Sequence, residues 1–274
     1  MVIKKDLVFP EVTQFDFFIK QNQIDRSTHT EGIDLHCHKE FEIYINLSGD
    51  ISFLVNNRLY PLTYGDVIIS RPGEYHHCVY RSNKPHSFFW LLCNCECSPF
   101  IYEYFLKHSG SNFISPNESE KERLVRICEE LTTDGLSEGR IFFLFSRLLS
   151  LFEESDRKNS LKRSTMSEEL SEILNYIDAH VCEKVTLDLL EKDLFISKST
   201  IERRFQEELN LNPSEFIRKR KLIIAANMLL NGASVLEVGN SVGYADNSHF
   251  IKLFKEYFGV TPNKYKKETA KQKI

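Results

Sequence analysis

Three side chains in the first third of the 274-residue chain have the types and spacing of a metal or ligand site. His36, His38 and Glu42 have the same parity, so on a β-strand they point to one side, and His76 in a later segment could complete the set. Three imidazoles with one carboxylate can hold a divalent metal. Because the alternate positions in 41–47 are apolar, the histidine side could equally face solvent or line a polar ligand pocket without metal.

Three cysteines, Cys93, Cys95 and Cys97, also share strand parity and could bind a soft metal or react with an oxidant. Their spacing lacks a CxxC pattern and small buried thiols are common, so a structural role is favoured. The odd total of seven cysteines indicates reduced thiols rather than a disulfide framework. With no signal-peptide core and no apolar run long enough to span a bilayer, a soluble, cytoplasmic protein is predicted.

The last third of the chain contains a second set of residues suited to binding, arranged in an internal repeat. At an offset of 49 positions, Arg203 matches Lys252 and Phe205 matches Phe254. Each copy predicts a short helix, a tight turn and a second helix, which is the spacing of a helix-turn-helix. Two such units in one chain indicate binding to double-stranded DNA, with recognition helices about 34 Å apart if they enter successive major grooves.

Capping residues mark the ends of these predicted helices. Ser197 and Asp246 precede the second helix of each copy and are expected to accept hydrogen bonds from its first amides. Ser234 and Glu237 form a capping box at the start of the second copy, where Gly243 supplies the turn. These signals predict helices at 185–192, 198–208, 213–230 and 247–257.

Helical periodicity also assigns the faces of the two second helices. The inward residues are predicted to be Ile201, Phe205 and Leu209 in the first copy and Phe250, Phe254 and Phe258 in the second. The outward residues, which could contact phosphates and base edges, are Ser199, Glu202, Arg203, Gln206, Asn247, Ser248, Ile251, Lys252 and Lys255. The helix between the copies carries four further cations, Arg218, Lys219, Arg220 and Lys221.

The formal net charge of −4 by itself argues against a nucleic-acid binder. The charge is unevenly distributed, however, because residues 1–170 carry a net −6 and the residues from Lys198 onward carry a net +6. The chain therefore combines an acidic amino-terminal part with a basic carboxyl-terminal part. Weak nonspecific DNA affinity is expected of the intact protein, with specificity from dimerisation and adjacent half-sites.

The elements that position these residues differ between the two halves. Short apolar segments separated by turn signals in 30–98 predict a small antiparallel sandwich or barrel. Residues 118–133 and 140–154 have helical periodicity, and the apolar run 141–145 is expected to be buried against the barrel or another copy of the chain. The polar stretch 155–167 is typical of a linker. The predicted fold class is α+β, with domains at 1–154 and 168–274.

The segment from about Ile173 to Lys267 resembles the DNA-binding region of AraC/XylS-type transcriptional regulators. The residues that carry the resemblance are 196–205, 216–221, Val238 with Gly243 and Tyr244, and 250–265. It implies recognition helices at about 198–208 and 247–257, with base-contacting positions at Ser199, Glu202, Arg203, Asn247, Ser248, His249, Ile251 and Lys252. Arg204 and Asn240 depart from the residues common at their positions in the family.

The amino-terminal motifs, His36-Cys37-His38 with Glu42 and Gly49 and then residues 65–76, resemble the two motifs of cupins and the sensing domain of many AraC-type regulators. The leading glycine of the motif is displaced, since Gly32 lies only four residues before His36, and regulators with this pattern often lack metal. The resemblance implies a cupin-like β-barrel with a small-molecule pocket and no metal or other cofactor. The candidate effector-binding residues are His36, His38, Glu42, Tyr44, His76 and Trp90.

We therefore predict a DNA-binding transcription regulator, an activator by family resemblance, controlled by a small-molecule effector such as a sugar or related metabolite. Catalysis is not expected, because no nucleophile, base and orienting group occur together outside the possible metal set. Expected partners are promoter DNA, the effector, RNA polymerase and a second copy of the chain bound through 118–133 and 140–154, with no membrane. Two alternatives remain: a cupin metalloenzyme fused to an autoregulatory DNA-binding domain, and a ligand-independent regulator whose barrel only dimerises.

Overall fold

The computed structural model describes the backbone of residues 3–9, 13–24, 35–38, 40–94, 112–156 and 165–271, with side chains in 35–38, 40–93, 112–155 and 165–267. The chain divides into two compact units, Met1–Thr165 and Met166–Ile274. Most of the predicted linker 155–167 lies outside the described residues, so its linker character stays a prediction.

The described part of the first unit contains nine strands. Their bounds are β1 Ile3–Phe9, β2 Thr13–Ile24, β3 Phe41–Ser48, β4 Ile51–Val55, β5 Arg58–Leu62, β6 Val67–Ser70, β7 His76–Tyr80, β8 His86–Asn94 and β9 Phe113–Ile114. Gly49 at φ 109° and Asn56 at φ 49° form the turns that join β3 to β4 and β4 to β5. Glycine and asparagine tolerate this left-handed backbone, so short connections between antiparallel strands are possible there.

These strands form two antiparallel sheets, which agrees with the sandwich alternative of the prediction, and the cupin-like unit is not a closed barrel. The larger sheet has the order β1-β2-β8-β3-β6-β9 and the smaller one the order β5-β4-β7. A barrel needs one ladder that closes on itself, whereas the ladders of the described strands end at β1 and β9 in one sheet and at β5 and β7 in the other. An isolated antiparallel bridge pairs His36 with His76 at the start of β7.

Two helices pack on the outer face of the larger sheet, α1 Glu118–Leu131 and α2 Glu138–Asp156. Asn117 caps α1 in a capping box with Glu120. Leu124 of α1 and Leu144 of α2 share a core cluster with the sheet. The run 141–145 is only partly buried within the chain, because Phe142 and Phe143 are 45% and 48% exposed.

Strand β3 is buried on both faces, and this places the candidate site inside the unit. Phe41, Ile43 and Ile45 pack against α1 and α2, whereas Tyr44 belongs to a second cluster between the two sheets. The histidine face is largely enclosed, because Glu42 and His76 are 4% and 1% exposed while His36 and His38 are half-buried. The smaller sheet, which the spacing of the motif does not indicate, covers most of this face, so it does not simply face solvent.

The second unit is helical. Its helices are α3 Glu168–His180, α4 Leu187–Leu194, α5 Lys198–Leu209, α6 Pro213–Leu230, α7 Val235–Ser241, α8 Asn247–Phe258 and α9 Pro262–Lys271. The predicted caps are confirmed: Ser197 accepts from the Thr200 amide, Asp246 from the Ser248 amide, and Ser234 and Glu237 form the capping box. Helices α4 and α5 form the first helix-turn-helix, and α7 and α8 form the second.

The predicted inward faces of the two recognition helices are confirmed. Ile201, Phe205 and Leu209 are fully buried on α5, as are Phe250 and Phe254 on α8. Phe258 is half-buried and packs against the cluster that holds α7 and α8 on α6. The internal repeat therefore corresponds to two copies of one packing arrangement.

Two of the four cations on α6 join it to other segments of the unit and a third pairs within the helix, so these three do not form a basic surface. The Arg220 guanidinium donates to Asp178 of α3 at 2.6 and 3.0 Å. The Lys221 ammonium donates to the carbonyls of Glu183 and Val242 at 2.7 and 3.0 Å. Lys219 pairs with a glutamate one turn earlier on α6, and Arg218 remains exposed.

Arg204, which departs from the family pattern, has a structural role. It is half-buried and forms an ion pair with Glu169 of α3. Beside it, Glu208 accepts hydrogen bonds from the backbone amide and the hydroxyl of Ser167, the N-cap of α3. An ion pair thus joins α3 to α5 at this position.

Candidate ligand cavity and nucleic-acid interface

His36, His38, Glu42 and His76 come together inside the first unit, with one potential ligand atom of each within 4.8 Å of the others. Glu42 lies on β3, and the backbone bonds between His36 and His76, 2.9 and 3.1 Å long, bring the two histidine segments to it. One carboxylate oxygen of Glu42 lies 3.0 Å from His38 Nε2 and 3.3 Å from His76 Nε2. The segment that carries His76 therefore lies beside the segment that carries His36 and His38, although the two are far apart in the sequence.

The Glu42 carboxylate and the neighbouring imidazoles stabilise each other's charged forms. Burial opposes ionisation of Glu42, but His76 and His38 outweigh it and hold the pKa of this carboxyl well below its ordinary range. Burial also opposes the charged form of His76, yet the Glu42 carboxylate raises the pKa of this imidazole. The charged forms of Glu42 and His76 therefore stabilise each other at one end of the site.

The histidine orientations suit a metal as well as an ion pair. Nδ1 of His38 lies 3.0 Å from the Glu40 carbonyl, and Nδ1 of His76 lies 3.0 Å from the Glu74 carbonyl. When Nδ1 donates to such a carbonyl, Nε2 of a neutral imidazole is left with the lone pair that binds a metal. The donor set and its supporting bonds therefore fit a divalent cation.

A cavity of about 230 Å³ opens beside this cluster, between the two sheets. Its lining residues are His36, Glu42, Tyr44, Phe53, Cys78, Phe88 and Trp90. Four of the six predicted effector-binding residues line it, while His38 and His76 contact Glu42 behind the lining. The prediction omitted Phe53, Cys78 and Phe88. Phe88 could have been identified, because it has the same strand parity as Trp90. Phe53 and Cys78 could not, because only the pairing of β4 with β7 places them opposite each other.

Hydrogen-bonding groups accompany the aromatic wall. Burial raises the pKa of Tyr44 well above its ordinary value, so its hydroxyl stays protonated beside His86. Asn46 follows Tyr44 on the same side of β3, is 1% exposed, and has no hydrogen-bond partner for its side-chain amide among the described residues. Such a buried amide is unfavourable unless a partner satisfies it.

The outward face of α5 presents the first set of predicted DNA-contacting side chains. Ser199, Glu202, Arg203 and Gln206 are all exposed. The Arg203 guanidinium lies 3.2 Å from Glu207, one turn later on the same helix. An exposed pair of this kind is weak, so the guanidinium can exchange its partner for a phosphate or a base edge at little cost.

The outward face of α8 is less open than that of α5. Ser248, His249, Lys252 and Lys255 are exposed, and Lys252 lies 3.9 Å from Glu256. Two other predicted contacts are partly turned inward. Ile251 packs against the core of the second unit, and Oδ1 of Asn247 is buried against Gly239 of α7.

The group Cys93, Cys95 and Cys97, for which a structural role was favoured over a sensor, lies mostly outside the described residues, because Cys95 and Cys97 fall there. Cys93 is fully buried in the cluster that faces α1 and α2, on the side of β8 opposite Trp90. The five cysteines within the described part of the chain are free thiols. Among the described helices, none is long and apolar enough to cross a membrane.

Two family models match the chain in consecutive segments. The AraC-like ligand binding domain matches residues 23–170, and a helix-turn-helix domain matches residues 190–268. The first match covers more than half of the chain and includes the cavity and the histidine cluster. The second includes α5 and α8, the helices whose exposed faces are described above.

Two curated relatives align with this chain over most of their own length. The chain is 20% identical to the HTH-type transcriptional activator RhaR of Mannheimia succiniciproducens, covering 96% of this chain and 98% of that protein. It is 24% identical to RhaS of Escherichia coli over 83% and 85% of the two chains. Among solved structures, ToxT of Vibrio cholerae is 12% identical over 91% of this chain and 96% of that chain, with a TM-score of 0.37.

Proposed function

Because this chain belongs to the AraC family of transcription regulators, with an AraC-like ligand-binding domain and a helix-turn-helix domain, we propose that a small molecule in the cavity controls its DNA binding. The observation that carries this proposal is the cavity between the sheets, which has an apolar aromatic wall and a charged end. A pocket of this kind is the usual form of a small-molecule site. The same chain carries two capped helix-turn-helix units that expose cations.

DNA binding is assigned to the outward faces of α5 and α8. The test is binding of the intact protein to double-stranded genomic fragments over a range of salt concentrations. Arg203→Ala and Lys252→Ala should each weaken binding and reduce the slope of log affinity against log salt by about one. Arg126→Ala is the matched control, because Arg126 forms a similar exposed pair with Glu122 on α1. Absence of salt-dependent binding by the unaltered protein would refute the assignment.

The effector site is assigned to the cavity. Its volume of about 230 Å³ suits a small metabolite. The aromatic rings offer a surface for an apolar or ring face, and Glu42 offers an acceptor for hydroxyl groups such as those of a sugar. Trp90 is the single tryptophan of the chain and lines the cavity, so its fluorescence reports binding directly. A metabolite that occupies the cavity should change this fluorescence and raise the unfolding temperature. No response to any member of a broad panel would favour the ligand-independent alternative.

A divalent metal is the second candidate occupant, because the histidine–glutamate cluster fits one. The metal would be held by His36, His38, Glu42 and His76 and could orient an effector at the polar end of the cavity. Metal content of the purified protein and titration of the chelated protein with Zn²⁺ or Co²⁺ test this. His38→Ala should abolish stabilisation by the metal, whereas His180→Ala, on α3 in the second unit, should not. A protein that binds no metal would eliminate the metalloenzyme alternative.

A homodimer is proposed to form through the exposed side of α2. Phe142 and Phe143 are both nearly half exposed there, and the guanidinium groups of Arg140 and Arg147 lie 5.3 and 5.7 Å from the Phe143 ring. Apolar rings framed by cations resemble the centre and rim of a protein interface. Phe142→Asp should shift the sedimentation coefficient from dimer to monomer, and Tyr64→Asp, an exposed aromatic elsewhere in the first unit, should not.

The output is proposed to be activation, by analogy with RhaR and RhaS, whose names describe them as transcriptional activators. An activator of this kind would contact RNA polymerase at a promoter and would act in the cytoplasm. The effector would act by changing how the first unit holds the predicted linker, and thereby the spacing at which two DNA-binding units are presented. A reporter gene downstream of a bound fragment tests the sign of regulation with and without effector.

A further inference from the structure

Phe195 occupies a position that is unfavourable for a phenylalanine within this chain. It is 93% exposed, more than any other large apolar side chain among the described residues. Its backbone, at φ 56° and ψ 28°, is left-handed where it ends α4. A Cβ is disfavoured in that conformation, and an exposed ring gains nothing from burial. A residue that is strained and unburied is a candidate for a contact outside the chain.

The turn itself does not require a phenylalanine. In the second helix-turn-helix the turn uses Gly243 at φ 78°. The other non-glycine residues with positive φ in the described chain are Asn56 and Asn210, and asparagine is the residue that best tolerates this conformation after glycine. Glycine or asparagine would therefore form the first turn with less strain, so the aromatic ring needs another explanation.

The location of Phe195 indicates which partner it meets. It lies two residues before Ser197, the N-cap of α5, and the hydroxyls of Ser197 and Ser199 are 3.0 Å apart at that end. Recognition helices contact DNA with their amino-terminal residues. The surface assigned to DNA therefore continues directly into the turn that carries the ring.

We propose that Phe195 is a DNA-contacting residue, whose ring packs against a deoxyribose or a thymine methyl at the edge of the groove that α5 enters. The inference rests on the DNA binding proposed above. Apolar side chains make both kinds of contact in protein–DNA complexes. Because the ring is uncharged, its contribution to affinity is independent of counterion release.

The test compares Phe195→Asn, Phe195→Tyr and Arg203→Ala in the full-length protein, using a double-stranded fragment selected from genomic DNA by the unaltered protein. Phe195→Asn should weaken binding about fivefold, as expected for losing the partial burial of one aromatic ring, while the slope against salt stays the same. Its unfolding temperature should equal or exceed that of the unaltered protein, since strain is removed and no burial is lost. Phe195→Tyr keeps the ring and should retain the affinity.

Tyr64→Asn, which removes an exposed aromatic ring from the first unit, is the matched control and should leave the affinity unchanged. Unchanged affinity of Phe195→Asn, while Arg203→Ala still weakens binding, overturns this inference alone. Loss of affinity together with a lower unfolding temperature assigns the ring a structural role and also overturns it. Normal DNA affinity with loss of reporter activation identifies a protein partner instead of DNA. If the unaltered protein binds no DNA, the inference and the proposed function both fail.

Discussion

The ion pairs of the cavity and those of the recognition helices involve similar side chains but differ in exposure. The Glu42 and His76 side chains are 5% and 1% exposed, whereas those of Arg203 and Glu207 are 50% and 54% exposed. Buried partners depend on one another, because removing one leaves an uncompensated charge away from water. Exposed partners can separate at little cost. Burial therefore distinguishes charges that maintain a site from charges that are available to an incoming ligand.

Neighbouring residues on α6 show the same contrast within one helix. Arg220 is 9% exposed and donates to Asp178 of α3, while Arg218 is exposed. The basic composition of the carboxyl-terminal third therefore overstates its DNA-binding surface. Part of that charge fixes helices to one another, and only the remainder faces solvent.

The largest expected effect is that of Glu42→Gln on the stability of the first unit. Removing the carboxylate leaves the buried His76 without its counter-charge, which should cost about 3 kcal/mol. Urea unfolding followed by Trp90 fluorescence measures this, because the only tryptophan lies in the same unit. Glu118→Gln, whose side chain is 86% exposed, should cost nothing measurable. Equal effects of the two substitutions would contradict the distinction by burial.

A smaller effect is expected for Arg220→Ala in the second unit. Loss of the guanidinium removes two hydrogen bonds to Asp178 and should destabilise the unit by about 2 kcal/mol, since the pair is only partly screened by solvent. Arg218→Ala should change stability by less than about 0.5 kcal/mol. Thermal unfolding followed by helical circular dichroism compares the two. A larger loss for Arg218→Ala would reverse the assignment of the α6 cations.

Gly243 and Gly259 have similar backbone conformations, so comparing their alanine variants separates steric crowding of the new Cβ from backbone strain. Gly243 and Gly259 have φ 78° and 73°, but only Gly243 has neighbours, with Lys221 Nζ 3.0 Å and the Cys182 carbonyl 3.1 Å from an added Cβ. Both alanine substitutions should incur a backbone penalty of about 1 kcal/mol. Gly243→Ala should be the more destabilising, because the neighbours of its Cβ must also shift. Equal unfolding temperatures for the two variants would show that the atoms around Gly243 can shift to accommodate a Cβ at no measurable cost.

The smallest effect concerns the exposed pairs of the recognition helices. Glu207→Gln and Glu256→Gln remove the carboxylates beside Arg203 and Lys252 and should each raise DNA affinity about twofold, with stability unchanged. Electrophoretic mobility shifts at low salt measure the change. Glu122→Gln removes the equivalent partner of Arg126 on α1 and should leave DNA affinity unchanged. A decrease in affinity would mean that these glutamates themselves support DNA binding.

Much of the second unit was predictable from sequence because its signals are local. The caps at Ser197 and Asp246 and the faces of α5 and α8 depend on residues within a few positions of each other. The helix from Pro213 to Leu230 agrees with the prediction at both ends. The buried roles of Arg220 and Lys221 were not predictable, since their partners lie on α3 and in loops far along the chain.

The sequence by itself determined the family, the two helix-turn-helix units, and the shared side of His36, His38 and Glu42 on one segment. Strand parity and helical periodicity are properties of a few consecutive residues, so they need no knowledge of the fold. Only the tertiary structure decided that the strands form two sheets instead of a closed barrel, that Phe53, Cys78 and Phe88 complete the cavity, and which cations are exposed. These outcomes depend on which distant segments pack together, and burial against such segments determines whether a charge is structural or available for binding.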